Sequence, residues 1–265
     1  MRNKLKNSAL CYICLISFFI NAERFGDPGE IIAIKASSND LDKYLTIEIN
    51  ESLYKLIPLP FEKQNDSIYV DGEKININQK DFGESRITID NNSMVNLSKE
   101  DSDRAFKESK IIQKALKNYS KFLVPDLNFI NPVEGIISSR YGKKRYINDQ
   151  PRSPHLSLDI AAAEGTKIVS PSKGKVILVG DFFYAGNYII IDHGYGLISS
   201  YSHLSSVLVD ENELIEKGQK IGEVGSTGRV TGPHLHWTVY LNKVRINPES
   251  IIQENFLEGL SLIHI

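Results

Sequence analysis

Between Phe129 and Pro248 the chain is a succession of short β-branched and aromatic runs cut by glycine turns. They are GIISSRYG (135–142), TKIVSPSKGKVILVG (166–180), NYIIIDHGYGLISSYSHL (187–204), KIGEVGSTG (220–228) and HWTVYL (236–241). Runs of this length bounded by Gly, Asn and Asp read as strands, and no long helical stripe interrupts them. Helical bundles and sheets wound with crossover helices are excluded, which leaves a compact antiparallel β domain over 127–250. Residues 27–98 carry further β-type runs, IIAIKAS, YLTIEIN, SIYVDGEKINI and SRITIDN, with a hairpin signal at Asp71-Gly72. They predict a small all-β module. One helical pattern joins the two regions. Ser98 is its expected N-cap, acidic residues follow, and Ala105, Ile111, Ile112, Ala115, Leu116 and Tyr119 form an apolar stripe. A linking α-helix is predicted over 99–124, stopped by Val124-Pro125, and residues 251–265 read as a C-terminal tail. The fold class is mainly β.

Arg2, Lys4 and Lys6 precede the apolar run 9–20 and then Asn21-Ala22. A basic start, a short apolar run and a small residue form an export signal, here residues 1–22. The run is short for a membrane span; the competing reading is an uncleaved membrane anchor. Both cysteines, Cys11 and Cys14, lie within it. The mature chain therefore has no disulfide and no thiolate metal site, and a metal has to be held by His, Asp or Glu. The net charge of −2 favours no nucleic-acid partner.

Five of the six histidines fall between 129 and 248. His234 and His236, two apart at the start of a predicted strand, share a face while Leu235 points into the core. In HLSLD, Leu156 and Leu158 alternate with His155, Ser157 and Asp159, so a strand puts His155 and Asp159 on one face. His203 follows Tyr201 at the end of a β-run. A catalytic zinc site has three N/O ligands and an open position. His155, Asp159 and one histidine of His-Leu-His supply three, leaving the others for proton steps. No H-E-x-x-H motif is present. His193 reads as structural in a turn. The glycines of GEVGSTGRVTG are not followed by Gly-Lys-Ser/Thr, so they shape turns beside the site rather than a phosphate loop.

His-x-x-x-Asp, Tyr-x-His-Leu and His-x-His in this order, together with GTKIVSPSKGKVILVG, IIIDHGYGL, EKGQKIGEVG and GSTGRVTGPHLHW, make residues 128–250 resemble the lysostaphin-type zinc endopeptidases of peptidoglycan. The β module and the SKEDSDRAFKES segment resemble the N-terminal part of exported Gram-negative members. The resemblance implies one zinc ion held by His155, Asp159 and His236, with His203 and His234 as the catalytic pair, either of them the base. It implies a periplasmic enzyme that cuts peptidoglycan stem-peptide cross-links between D-Ala and diaminopimelate, with no membrane span in the mature form. Arg140 and Asn148, just before the metal segment, are the expected substrate contacts. A non-catalytic activator of wall hydrolases or a peptidoglycan-binding protein is the main competing reading, but such relatives have lost metal ligands. A periplasmic metal-binding protein is a third. The N-terminal module is expected to restrain the groove, to position the enzyme or to bind a regulatory partner of unassigned identity.

Overall fold

The apolar runs of the second half pair into one extended antiparallel sheet. In the computed structural model, which describes residues 23–89, 96–253, 256–257 and 259–260, its strands run in the order 214–215, 174–182, 186–194, 197–207, 234–241, 158–161 and 136–139. Strand 220–224 pairs with both 197–207 and 167–169, and 244–246 pairs with 234–241. The expected export signal 1–22 and His264 lie outside the described residues. Among the described residues, no helix is long and apolar enough to cross a membrane.

The central strands of the sheet are buried on both faces. One face contributes Ile189, Ile191, Tyr201, Leu204, Leu235, Trp237 and Val239 to the main core. Ile190, Ile198, Tyr188 and Tyr240 face the other way, under Ile112, Ala115 and Leu116 of the helix. That helix runs Lys99–Ala115, and the Ser98 hydroxyl accepts from the Asp101 amide as an N-cap. It stops nine residues short of the predicted end at 124. Asn118 and Ser120 both donate to the buried Asp192 carboxylate, and Ser120 accepts from the Tyr195 amide at 2.7 Å. These bonds draw the backbone off the helical path before the Val124-Pro125 stop is reached.

The N-terminal strands are not a separate body. Strands 31–35, 46–49 and 52–58 form a sheet whose two faces serve two cores. Ile31, Ala33, Tyr54 and Leu56 join the main core with Leu158 and Trp237. Ile32, Ile34 and Ile57 pack with Ile75 and Ile77 of the hairpin 66–70/73–77. The hairpin turns at Asp71 and Gly72 with φ of 50° and 85°, the left-handed pair a two-residue turn demands. Strand 84–87 crosses to the other half and lies parallel to 143–147, whose far side pairs with 150–155. At the C-terminal end Leu260 packs into the main core and Phe256 against it, so part of the predicted tail is an anchored segment.

His193 sits in the interior as expected of a structural histidine. Its Nδ1–H donates to the Lys173 carbonyl at 2.7 Å, and Nε2 accepts from the Ser199 hydroxyl at 2.7 Å. Burial pushes the imidazole down to about 4, against the raising effect of the Lys173 bond.

Two outcomes follow from this packing. Leu56→Ala deletes buried volume from the shared core and should cost roughly 2–5 kcal/mol. Trp237, the single tryptophan, should report that loss as one shifted urea transition; an unmoved Trp237 transition would mean that the N-terminal sheet folds independently. The unfolded chain also binds a proton at His193 that the folded chain refuses, so stability should fall as pH drops from about 6.5 toward 4. Between about pH 7 and 5 this one group accounts for ~2 kcal/mol. Urea unfolding of His193→Gln at both pH values should have that much less acid dependence than the wild type.

Candidate functional site

Three adjacent strands bring the polar residues together. In the antiparallel pair 158–161/234–241, Asp159 lies opposite His236 and Ala161 opposite His234. On the other side Ser202 of strand 197–207 lies opposite His236. His234 and His236 share a face while Leu235 is fully buried, as the alternation predicted.

His155 arrives differently from the expectation. HLSLD is not one strand: 150–155 ends at His155, and a new strand starts at Leu158 in another sheet. The chain turns at Leu156-Ser157, where the His155 carbonyl accepts from the Gly142 amide and Ser157 bonds to Thr238. The two side chains still meet, with His155 Nε2 at 3.0 Å from Asp159 Oδ1.

His203 is presented by a bulge. The pairs Asn187↔Leu204 and Ile189↔Tyr201 put one extra residue into strand 197–207, and His203 has φ of 70°. A bulge re-aims one side chain. The left-handed backbone of a non-glycine residue stores on the order of 1 kcal/mol or more.

The result is a cluster of five side chains. His236 Nδ1 lies 2.6 Å from Asp159 Oδ1 and 3.4 Å from His155 Nε2. His234 Nε2 lies 4.0 Å from Asp159 Oδ1, and the rings of His203 and His234 are 5.0 Å apart. Two sets of three donor atoms each fall within 4.8 Å of one another, His155/Asp159/His236 and His203/His234/His236, sharing His236.

Carbonyl groups set the tautomers. Nδ1–H donates from His155 to Arg140 at 3.1 Å, from His203 to Thr227 at 2.9 Å and from His234 to Gly232 at 2.9 Å. A neutral imidazole anchored at Nδ1 offers the lone pair of Nε2. Burial by itself raises the Asp159 pKa, but the imidazoles of His236 and His155 outweigh it and hold this carboxyl far below the usual range. Burial, then the neighbouring His236 and His234, push His203 down to about 3, so the ring is neutral at pH 7.

A carboxylate clasped by two imidazoles at mutual donor distances suits a divalent cation of borderline softness. His155, Asp159 and His236 are the set with both nitrogen and carboxylate donors. The outer partner on His155 is the kind that fixes a ligand's orientation.

Asp159, His203, His234 and His236 border a cavity of about 460 Å³, with His155 buried behind them. Its walls include Ser85, Ile87 and Ile89 from the N-terminal half, and Arg145, Ile147, Tyr184 and Arg229. Gly228 at φ 74° packs its backbone against Gly186 and Tyr184, so a side chain there has no room. Neither Arg140 nor Asn148 lines the cavity. Arg140 pairs with Glu249, and the Asn148 side chain bonds the backbone of Ile89 at 2.8 and 3.0 Å. Arg145 and the 85–89 wall were not expected. The alternation of Arg145 and Ile147 within KKRYI was the available signal.

The bulge makes one outcome specific. Glycine adopts a φ of 70° without penalty and alanine does not. His203→Gly should therefore unfold at higher urea than His203→Ala, by about 1 kcal/mol. Equal stabilities would mean that the bulge relaxes when the imidazole is gone.

The sequence profile described as peptidase family M23 matches residues 153–248. Peptidoglycan DD-endopeptidase ShyA of Vibrio cholerae is 38% identical over 112 residues, 42% of this chain and 26% of that protein. ShyB of the same organism is 45% identical over 86 residues, 32% of this chain and 20% of that protein. The chain thus spans about a quarter of the length of these relatives. A crystal structure of a protein from Pseudomonas aeruginosa, described as a peptidase M23, superposes with a TM-score of 0.66 at 28% identity, over 85% of this chain and 94% of that one. All five residues of the cluster, His155, Asp159, His203, His234 and His236, lie within the residues 153–248 that match peptidase family M23.

Proposed function

We propose that this protein is a zinc-dependent endopeptidase that hydrolyses the peptide cross-links of peptidoglycan, the bond between D-Ala and diaminopimelate, in the periplasm. The observation that carries the reading is the convergence of His155, Asp159 and His236 at ligand distances, with His203 and His234 beside them, at the border of a cavity. The names of the relatives support the substrate class. ShyA and ShyB are DD-endopeptidases of peptidoglycan, and a 36% identical relative from Neisseria meningitidis is the DD-carboxypeptidase/endopeptidase Mpg. The basic, apolar N-terminal segment supports export.

In this proposal His155, Asp159 and His236 hold one zinc ion. A bound zinc ion supplies Lewis acidity, lowering the pKa of water toward ~7 and polarising a carbonyl. The chain's own work lies with the two remaining imidazoles. His203 and His234 are held by carbonyls at Nδ1, and each keeps Nε2 free to take a proton. One of them removes a proton from the attacking water. That proton then passes to the departing amine nitrogen as the C–N bond breaks, so the cycle closes with both rings neutral. The other stabilises the oxyanion of the tetrahedral stage when its Nε2 carries a proton.

Digestion of purified cross-linked muropeptides, with products identified by mass spectrometry, tests the activity; monomers released at the D-Ala amide are the expected products. His155→Ala and Asp159→Ala should lose bound zinc. His203→Ala and His234→Ala should keep it and lose roughly 10²–10⁴-fold in rate. Full zinc in both ligand variants, or loss of zinc in the second pair, would overturn these roles.

A further inference from the structure

Arg145 carries a half-buried guanidinium. It stands on strand 143–147 with its side chain in the cavity wall. Among the described residues no hydrogen bond or ion pair engages it. Its neighbours make this costly. Arg152 lies directly opposite on strand 150–155, and like charges facing across a ladder repel. Arg229, stacked on Tyr184 at 4.2 Å, borders the same cavity. The one carboxylate among the cavity-lining residues is Asp159, already clasped by His155 and His236. On its other flank Arg145 faces Ser85 of strand 84–87, a residue with no charge to offer.

A half-buried cation whose one carboxylate neighbour in the cavity is already clasped by two imidazoles is completed by a further anion. Its fork of N–H donors fits a carboxylate, which it grips with two parallel hydrogen bonds. A cross-link at D-Ala provides that anion in a fixed place. The amine-side residue bears a free carboxylate on the same carbon as the scissile nitrogen, and the terminal D-Ala of an uncross-linked stem has the same arrangement.

We infer that Arg145 is a specificity-determining residue that binds the free carboxylate of the substrate residue on the amine side of the scissile bond. This rests on the endopeptidase reading above. It makes the enzyme selective for bonds followed by an α-carboxylate and poor toward mid-chain peptide bonds, whose next carbonyl is an amide. Burial lowers the Arg145 pKa, with the Asp159 charge opposing; a guanidinium stays charged at neutral pH regardless.

The test compares two soluble cross-linked muropeptides that differ only at that carboxylate, free or amidated, with the zinc-loaded full chain. A charge-assisted pair corresponds to roughly 10–10²-fold in binding. Wild type should cleave the free acid with that much higher kcat/KM, chiefly through KM. Arg145→Gln should lose the preference by slowing on the acid alone, and Arg145→Lys should recover part of it. Zinc content and the urea midpoint of each variant exclude loss of the site or of the fold. A wild type that cleaves both substrates equally, or an Arg145→Gln variant that retains the preference, overturns the assignment while the endopeptidase reading stands. A zinc-loaded wild type that cleaves neither substrate overturns both.

Discussion

The pairing of strand 158–161 with 234–241 in one register is what the rest of the site depends on. It places Asp159 against His236 on one face and Leu158, Ile160, Leu235 and Trp237 in the core on the other. Side chains alternate across a sheet, so a slip by one residue would exchange the two sets. Each large apolar side chain favours burial by ~1.5–3 kcal/mol. Four of them on two short strands therefore select the register far more strongly than any imidazole–carboxylate contact. The polar cluster is assembled by hydrophobic packing behind it, not by attraction among its own members.

The departures from regular sheet occur where the cluster needs a side chain that straight strands cannot deliver. The bulge at His203 turns an imidazole from a fully packed strand toward the cavity and accepts a left-handed backbone to do so. The turn at Leu156-Ser157 brings His155 in from a second sheet. Both are held from outside. The His203 amide donates to Ala185 at 2.8 Å, and Gly142 bonds the His155 carbonyl. The strain is over-determined by neighbours, as it must be to persist.

Local signals were readable wherever local chemistry decides the outcome. The alternation at His234-Leu235-His236, the Asp71-Gly72 turn and the Ser98 cap all appear as the residues foretell, and so does the antiparallel β class. The features that escaped are set at a distance. The helix ends at Ala115 because Asp192, over seventy positions away, takes the side chains of Asn118 and Ser120. HLSLD breaks because its halves pair with different sheets, although the alternation alone favours one strand. Arg140 and Asn148 sit in the right stretch of chain but are engaged by Glu249 and by Ile89. Arg145 of that stretch does face the cavity, and its alternation with Ile147 in KKRYI was the local signal for it.

Strand 84–87 changes the meaning of the N-terminal half. A histidine-free β module invites the idea of a removable cover over a self-sufficient catalytic domain. Yet Ser85 and Ile87 stand in ladder register with Arg145 and Ile147, and Ile89 extends the same wall. Ile31, Ala33 and Leu56 fill the core beneath Trp237. A cover can be lifted without altering what it covers. Removing this segment would open the main core and strip the outer strand from the one that bears Arg145. The N-terminal half is therefore part of the groove's construction. Any restraint it exerts on access has to come from how the wall is shaped, since the same strands hold the floor in place.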